Sequence, residues 1–240
     1  MGPMKEKFQN HKTRAGFGWL IAVAVMWSVL APAPCVLAAP ASPASLPLDQ
    51  YINRVQASYH EVRSIRADFT QTYDSGGGSR VESGTVVFAR GGRMRWDYQE
   101  PEKKVFISNK REVLLYLPSA NQLNRSPVKQ SEDYRIPFRL LLSRLDLRKV
   151  FGKFEDANSQ FPHPAEDRVV IAYPKHAEKL GYKHVVMEFD PEMNIRRLVI
   201  AYADNSVMKF RFSHIDRNPK LADSLFEFTA PPGTQVIHHE

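Results

Sequence analysis

The side chains able to do chemistry in this chain are scattered rather than gathered. Its eight histidines (His11, His60, His163, His176, His184, His214, His238 and His239) show no HExxH pairing, and the one adjacent pair, His238-His239, sits in a terminal tail. Glu166 and Asp167 form a carboxylate pair, but neighbours on a strand point to opposite faces and cannot jointly flank a bond. Gly76-Gly77-Gly78 lacks the lysine and the spacing of a phosphate-binding loop and reads as a hairpin turn, and no G-x-S-x-G elbow is present. The lone cysteine, Cys35, excludes a disulfide framework, a CxxC redox site and a cysteine-built zinc finger. The chain therefore reads as a non-enzyme, with no catalytic residue, no metal ligand and no cofactor assigned.

The informative stretch runs from Gly84 to Tyr98. In its second half Met94, Trp96 and Tyr98 share one face of a strand, while Arg93, Arg95 and Asp97 share the other. In its first half Arg90 falls in step with Val86 and Phe88. If that alternation persists, an arginine joins an apolar face and must find carbonyl or carboxylate partners, because an unpaired buried charge is costly. The alternative places Arg90 in the turn, facing water. Arginines interleaved with Trp96 and Tyr98 could also build a groove for single-stranded nucleic acid. The alternation separates Arg93 and Arg95 from the aromatics, so nucleic acid is not expected as a partner.

The elements that must position these residues follow from composition and periodicity. The chain has 240 residues, 43% hydrophobic and 25% charged, enough for one sizeable core. Its net charge is +7, but Lys5, Lys7, Lys12, Arg14 and Glu6 all lie in the first 38 positions, leaving 29 basic and 25 acidic residues and a balance of +4 beyond them. That basic start precedes an uncharged run from Ala15 to Leu30 and then Val36-Leu37-Ala38, the pattern of an export signal cleaved after about Ala38. The run Ala15 to Ala39 is also long enough for an uncleaved anchor. A lipid-modified Cys35 is disfavoured by the proline directly before it. The expected organisation is a signal segment (1–38), a flexible leader (39–47) and one domain (48–240) outside the cytoplasm.

Leu48, Ile52, Val55, Tyr59 and Val62 recur at steps of four, three, four and three, on one face of a helix. The period then changes to two through Ala67, Phe69, Gln71 and Tyr73. Short β-branched and aromatic runs follow at about 81–89, 93–98, 104–107, 112–117 and 121–126, and again at 167–173, 183–189, 194–202 and 206–213, with a last one at Leu225–Thr229. Separations this short indicate antiparallel neighbours. A second helical stretch opens near Pro137 and is dense in leucine up to Val150. The expected class is mainly β with α (α+β), about eleven strands in one strongly curved antiparallel sheet with two helical insertions.

Several pieces, in order, resemble the periplasmic outer-membrane lipoprotein carrier family, LolA. They are Phe69-Thr70-Gln71, Gly84, the Arg90–Tyr98 segment, Pro101, Ser108-Asn109-Lys110 before Leu114-Leu115-Tyr116-Leu117-Pro118, Gln122, Pro137-Phe138, and the closing Phe226-Glu227-Phe228-Thr229-Ala230-Pro231-Pro232-Gly233. The resemblance implies a single incomplete β-barrel with a helical lid, holding lipoprotein acyl chains between the two. It implies a monomeric periplasmic chaperone that takes acylated lipoproteins from an inner-membrane ABC transporter of the lipoprotein-release type. An outer-membrane lipoprotein receptor would then accept them.

By position Arg90 matches the family's lid-tethering arginine. Phe88, Met94, Trp96, Phe106, Phe138, Leu141 and Leu145 are the candidate lipid contacts, although the same residue types serve ordinary core packing. The same half-barrel also serves lipoprotein-sensing regulators of the envelope and glycolipid carriers, which are the alternative functions. Two departures stand out: Gly91-Gly92 where many members have proline, and Ser108-Asn109-Lys110-Arg111 where an acidic-glycine turn is usual.

Overall fold

The computed structural model describes residues 45–128 and 146–239, all within the compact unit Pro40–Glu240. The export segment, most of the leader, and the stretch carrying Phe138, Leu141 and Leu145 lie outside the described residues. Helix α1 (Leu48–Glu61) leads into β1 (Ser64–Ser75), β2 (Gly78–Ala89), β3 (Arg93–Glu100), β4 (Lys104–Ser108), β5 (Glu112–Leu117) and β6 (Gln122–Pro127). After the undescribed stretch come a one-turn helix (Leu147–Val150), β7 (Phe151–Asp156), β8 (Arg168–Pro174), β9 (Tyr182–Phe189), β10 (Ile195–Tyr202), β11 (Val207–Arg217) and β12 (Gln235–His238).

The strands form one sheet in the order β12-β6-β5-β4-β3-β2-β1-β11-β10-β9-β8-β7. The sheet is open: β12 and β7 are its ends and do not pair with each other. Chain neighbours are mostly sheet neighbours, as short connections require, and the two joins between chain-distant strands are β1 with β11 and β6 with β12. The pairing is antiparallel except at one edge, where β12 runs parallel to β6. A parallel partner needs a long crossover, and residues 128–234 supply it.

The helical period is realised in α1, whose Tyr51, Ile52, Val55 and Tyr59 are buried against one face of the sheet. That face also carries Ile65, Ala67 and Phe69 of β1, Val86 and Phe88 of β2, and Met94 and Trp96 of β3. The opposite face is covered in two places. Phe226 packs on Val87, Ala89, Ile107, Leu114 and Leu123, and Phe161 packs against Val169, Ile171 and Val186.

Three expectations are corrected. Leu225–Thr229 is not a strand: a 3-10 turn, Asp223–Phe226, and an irregular segment lie flat on the outer face. Alternation reports which way side chains point, and packing onto a sheet satisfies it without edge pairing. The final strand is instead β12, too short and polar to show alternation. The strand β7 was not anticipated, because Phe151 and Phe154 are three residues apart and out of strand phase.

The departures from the family pattern have local reasons. Gly91 and Gly92 close the β2–β3 turn at φ +84° and +76°, a region that side-chain-bearing residues rarely adopt. In the β4–β5 turn Asn109 Oδ1 accepts from the backbone N–H of Arg111 (2.8 Å) and of Glu112 (2.9 Å), doing the work of an acidic turn residue.

Candidate functional site

On the face of the sheet that α1 packs against, strand residues wall a cavity of about 570 Å³, a usual size for a small-molecule site. Strand alternation builds the apolar wall: Trp96 of β3 pairs with Phe106 of β4, which pairs with Leu115 of β5. Across the cavity stand Ile200 of β10 and Met208 and Phe210 of β11. Trp96 is the hub, with ring centroids of Phe69 at 4.7 Å, Phe88 at 5.5 Å and Phe210 at 5.6 Å. The first two of these contacts are edge-on, and that geometry fixes the indole plane.

The same alternation brings polar groups onto the wall. Gln71 is in phase with Phe69, and Glu82 pairs with it in register on β2. Tyr98 donates its hydroxyl to Gln71 Oε1 (3.0 Å), and Gln71 Nε2 donates to Glu82 Oε2 (3.2 Å). Lys104 Nζ lies 2.5 Å from Glu82 Oε1 and 4.2 Å from the centre of the Tyr98 ring, while Arg80 Nη2 is 3.6 Å from Glu82 Oε2. Burial, then the Glu82 carboxylate, raises the Tyr98 phenol well above its ordinary value, so it stays a donor.

Arg90 lies in the β2–β3 turn and is exposed, yet its side chain turns back toward α1. Its Nε donates to Val62 O at 3.0 Å and its Nη2 to His60 O. These carbonyls belong to the end of α1, where helix carbonyls lack internal partners and where the helix dipole favours a cation. Both readings of Arg90 thus hold a part: the backbone is in the turn, and the guanidinium is engaged by carbonyls.

Three further arginines hold α1. Arg168, the first residue of β8, donates to Leu46 O (2.6 Å) and lies 4.5 Å from the Tyr51 ring centre. Arg217, the last residue of β11, donates to Ser58 Oγ (2.7 Å) and Met193 O (2.9 Å) and lies 5.1 Å from the Tyr59 ring centre. Arg148 bridges Asp49 at 2.9 Å. Arg168 and Arg217 stand at strand ends, which carry no phase signal, so only the packing identifies those two.

The expected contact residues separate. Trp96 and Phe106 line the cavity. Phe88 is buried beside Tyr59 and Phe212 at a narrow gap of about 20 Å³, and Met94 is buried in the same core without lining the cavity. Val113, Leu115, Ile200, Met208 and Phe210 were not singled out, although alternation places them on the correct face. Arg93 and Arg95 lie on the other face. Arg93 pairs with Asp223 (2.6 Å), and Arg95 is bidentate to Asp97 (2.7 and 2.8 Å). Among the described residues no three His, Cys, Asp or Glu side chains converge as metal ligands, and no helix is long and apolar enough to cross a membrane.

The sequence profile described as outer membrane lipoprotein carrier protein LolA matches residues 60–229. The chain belongs to the LolA family. Members similar to it include an outer-membrane lipoprotein carrier protein of Methylobacillus flagellatus, 27% identical over 188 residues (78% of this chain, 88% of that protein). Another, from Bordetella avium, is 28% identical over 201 residues, covering 82% of this chain and 91% of that protein. In fold the chain is similar to an uncharacterized conserved protein from Thermus thermophilus, with TM-score 0.50 and 12% identity over 78% of this chain and 99% of that one. The LolA match spans most of the cavity's strands, from β1 to β11, and leaves β12 outside.

Proposed function

We propose that this LolA-family chain is a periplasmic carrier that shields the acyl chains of lipoproteins in transit between the two membranes. The observation that carries the reading is the cavity of about 570 Å³ walled by Trp96, Phe106, Leu115, Ile200 and Phe210. Each methylene moved from water into such a wall is worth about 0.8 kcal/mol, so acyl cargo cannot cross an aqueous compartment unshielded. The proposed route begins at an inner-membrane ABC transporter and ends at an outer-membrane receptor. With no phosphate-binding loop motif in its sequence, the carrier would hand cargo on by relative affinity at the receiving site.

Arg90 is the proposed tether. Two hydrogen bonds from a cation to helix-end carbonyls contribute a few kcal/mol at most, enough to seat the end of α1 and little enough to be overcome by burial of lipid. The Phe88 and Tyr59 contact beneath that end is the proposed first opening, and Phe138, Leu141 and Leu145 remain proposed lipid contacts.

The test is a release assay. Inner-membrane vesicles carrying an acylated lipoprotein and its transporter receive ATP and the protein, and the supernatant is examined for a one-to-one complex. A soluble complex with acylated but not with non-acylated cargo supports the carrier reading. No complex despite a competent transporter overturns it. Arg90→Leu is expected to load cargo but to transfer it poorly to the receptor, and transfer equal to the parent protein would remove Arg90 from the mechanism.

A further inference from the structure

The cavity wall is not uniformly apolar, and its polar part carries surplus charge. Arg80, Lys104 and Glu82 all line it, two cations against one carboxylate. Glu82 is held in place from several directions, by Lys104 at 2.5 Å, Gln71 at 3.2 Å and Arg80 at 3.6 Å. The Glu82 and Lys104 side chains are only 8% and 17% exposed, whereas Arg80 is 64% exposed. One cation is therefore locked against the carboxylate, while the other keeps most of its donors available at the cavity edge.

Burying such a group is weak as a device for stability, since apolar residues of similar volume usually do as well. Its placement on the α1 face opposite Ile200 and Met208 means that any ligand lying along Trp96 and Phe106 meets it. An uncharged head would leave the Arg80 donors to water, whereas an anionic one could take them up.

We infer that the cavity takes an amphiphile with an anionic head, the acyl chain along Trp96 and Phe106 and the carboxylate or phosphate at Arg80, with Lys104 behind it. The inference rests on the lipid-site reading above and goes beyond it: acyl chains joined to a lipoprotein as esters or amides carry no free anion, so the anionic head belongs to a further ligand of the same cavity. Glu82 acts here as a positioning residue that holds Lys104 against the Tyr98 ring. Charge-assisted contacts to carboxylate or phosphate are what a guanidinium fork supplies best.

The experiment uses protein recovered from the periplasm of cells expressing the full chain. Of its three tryptophans, Trp19 and Trp27 lie in the first 38 residues, so a protein starting after Ala38 has Trp96 alone as its fluorophore in the cavity wall. Oleate, oleoyl-lysophosphatidate and mono-olein share one chain and differ in the head. Each is titrated by tryptophan fluorescence below its micellar concentration, and bound ligand is counted by native mass spectrometry.

The anions are expected to bind on the order of fivefold more tightly than mono-olein, a margin that shrinks with added salt. The stronger of the two anions identifies the head as carboxylate or phosphate. Arg80→Gln is expected to bring both anions to within about twofold of mono-olein. Equal binding of all three ligands to the parent protein overturns the head-group inference and leaves the lipid reading standing. Undiminished anion preference in Arg80→Gln overturns the assignment to Arg80. Failure of all three to bind overturns the inference, and the release assay then decides the carrier reading by itself.

Discussion

Asp167 sits just ahead of β8 with its side chain fully buried, and neither carboxylate oxygen accepts a hydrogen bond in the described structure. Arg196 is 3.5 Å away, and Glu188 and Asp190 are its like-charged neighbours. Burial, with those carboxylates adding and Arg196 partly offsetting, pushes the Asp167 carboxyl from 3.8 up to about 6. A raised folded-state value means that the native protein holds the proton more tightly than the unfolded chain does. The resulting stabilisation is fully present below the unfolded value and is lost as pH rises through about 6.

The perturbation is Asp167→Asn, which removes the titration and keeps the shape. Several carboxylates, including Asp204 and Asp223, are shifted the other way, and their contribution is common to both proteins. The quantity to measure is therefore the difference between parent and variant. From the shift above, the parent should gain roughly 1 kcal/mol on the variant between about pH 7 and about pH 5, and roughly 2 kcal/mol by about pH 4. Urea unfolding followed by tryptophan fluorescence at each pH reads it directly. A parent-minus-variant difference that stays flat across this window would refute the assignment of the proton to Asp167.

Gly84→Ala should destabilise the sheet by roughly 3 kcal/mol, because its new Cβ would lie 2.0 Å from the Asp97 carbonyl oxygen, a backbone atom that cannot move without parting β2 from β3. A urea midpoint unchanged from the parent would show that the strands separate freely there. Lys104→Met leaves the buried Glu82 with the neutral Gln71 amide at 3.2 Å and the exposed Arg80 at 3.6 Å, and should lower stability by roughly 3 kcal/mol. Adding Glu82→Gln to it should restore most of that loss, and a double variant no better than the single one would contradict a pairwise origin. Arg217→Gln should raise hydrogen exchange through the last turns of α1, since Ser58 and Met193 lose their partner. Unchanged exchange in α1 would show that Arg90 and the buried apolar face suffice.

Much of the fold could be read directly. The change of period near Ile65 marks where α1 gives way to β1, and the turn glycines at 76–77 and 91–92 fall where the hairpins reverse. The Met94, Trp96 and Tyr98 alternation placed the cavity wall on the correct face, because side-chain direction in a strand is a local property. Less was legible at the site. Nothing local distinguishes Phe106, which lines the cavity, from Met94, which does not, since both are apolar residues on one face.

Sequence by itself determined α1, the strands β1 to β6 and β8 to β11, and which faces those strands present. Each of these depends on residues within a few positions of one another. Its ordered pieces also determined family membership. Tertiary structure decided what distant positions do together. It brought Arg168 and Arg217 from strand ends onto α1, laid Leu225–Phe228 across the outer face rather than along an edge, and gave β6 a parallel partner in β12. It also gathered Gln71, Glu82, Tyr98 and Lys104 into one network on the cavity wall. Such contacts depend on register across strands and on the curvature of the sheet, and neither is encoded in the spacing of residues along a single strand.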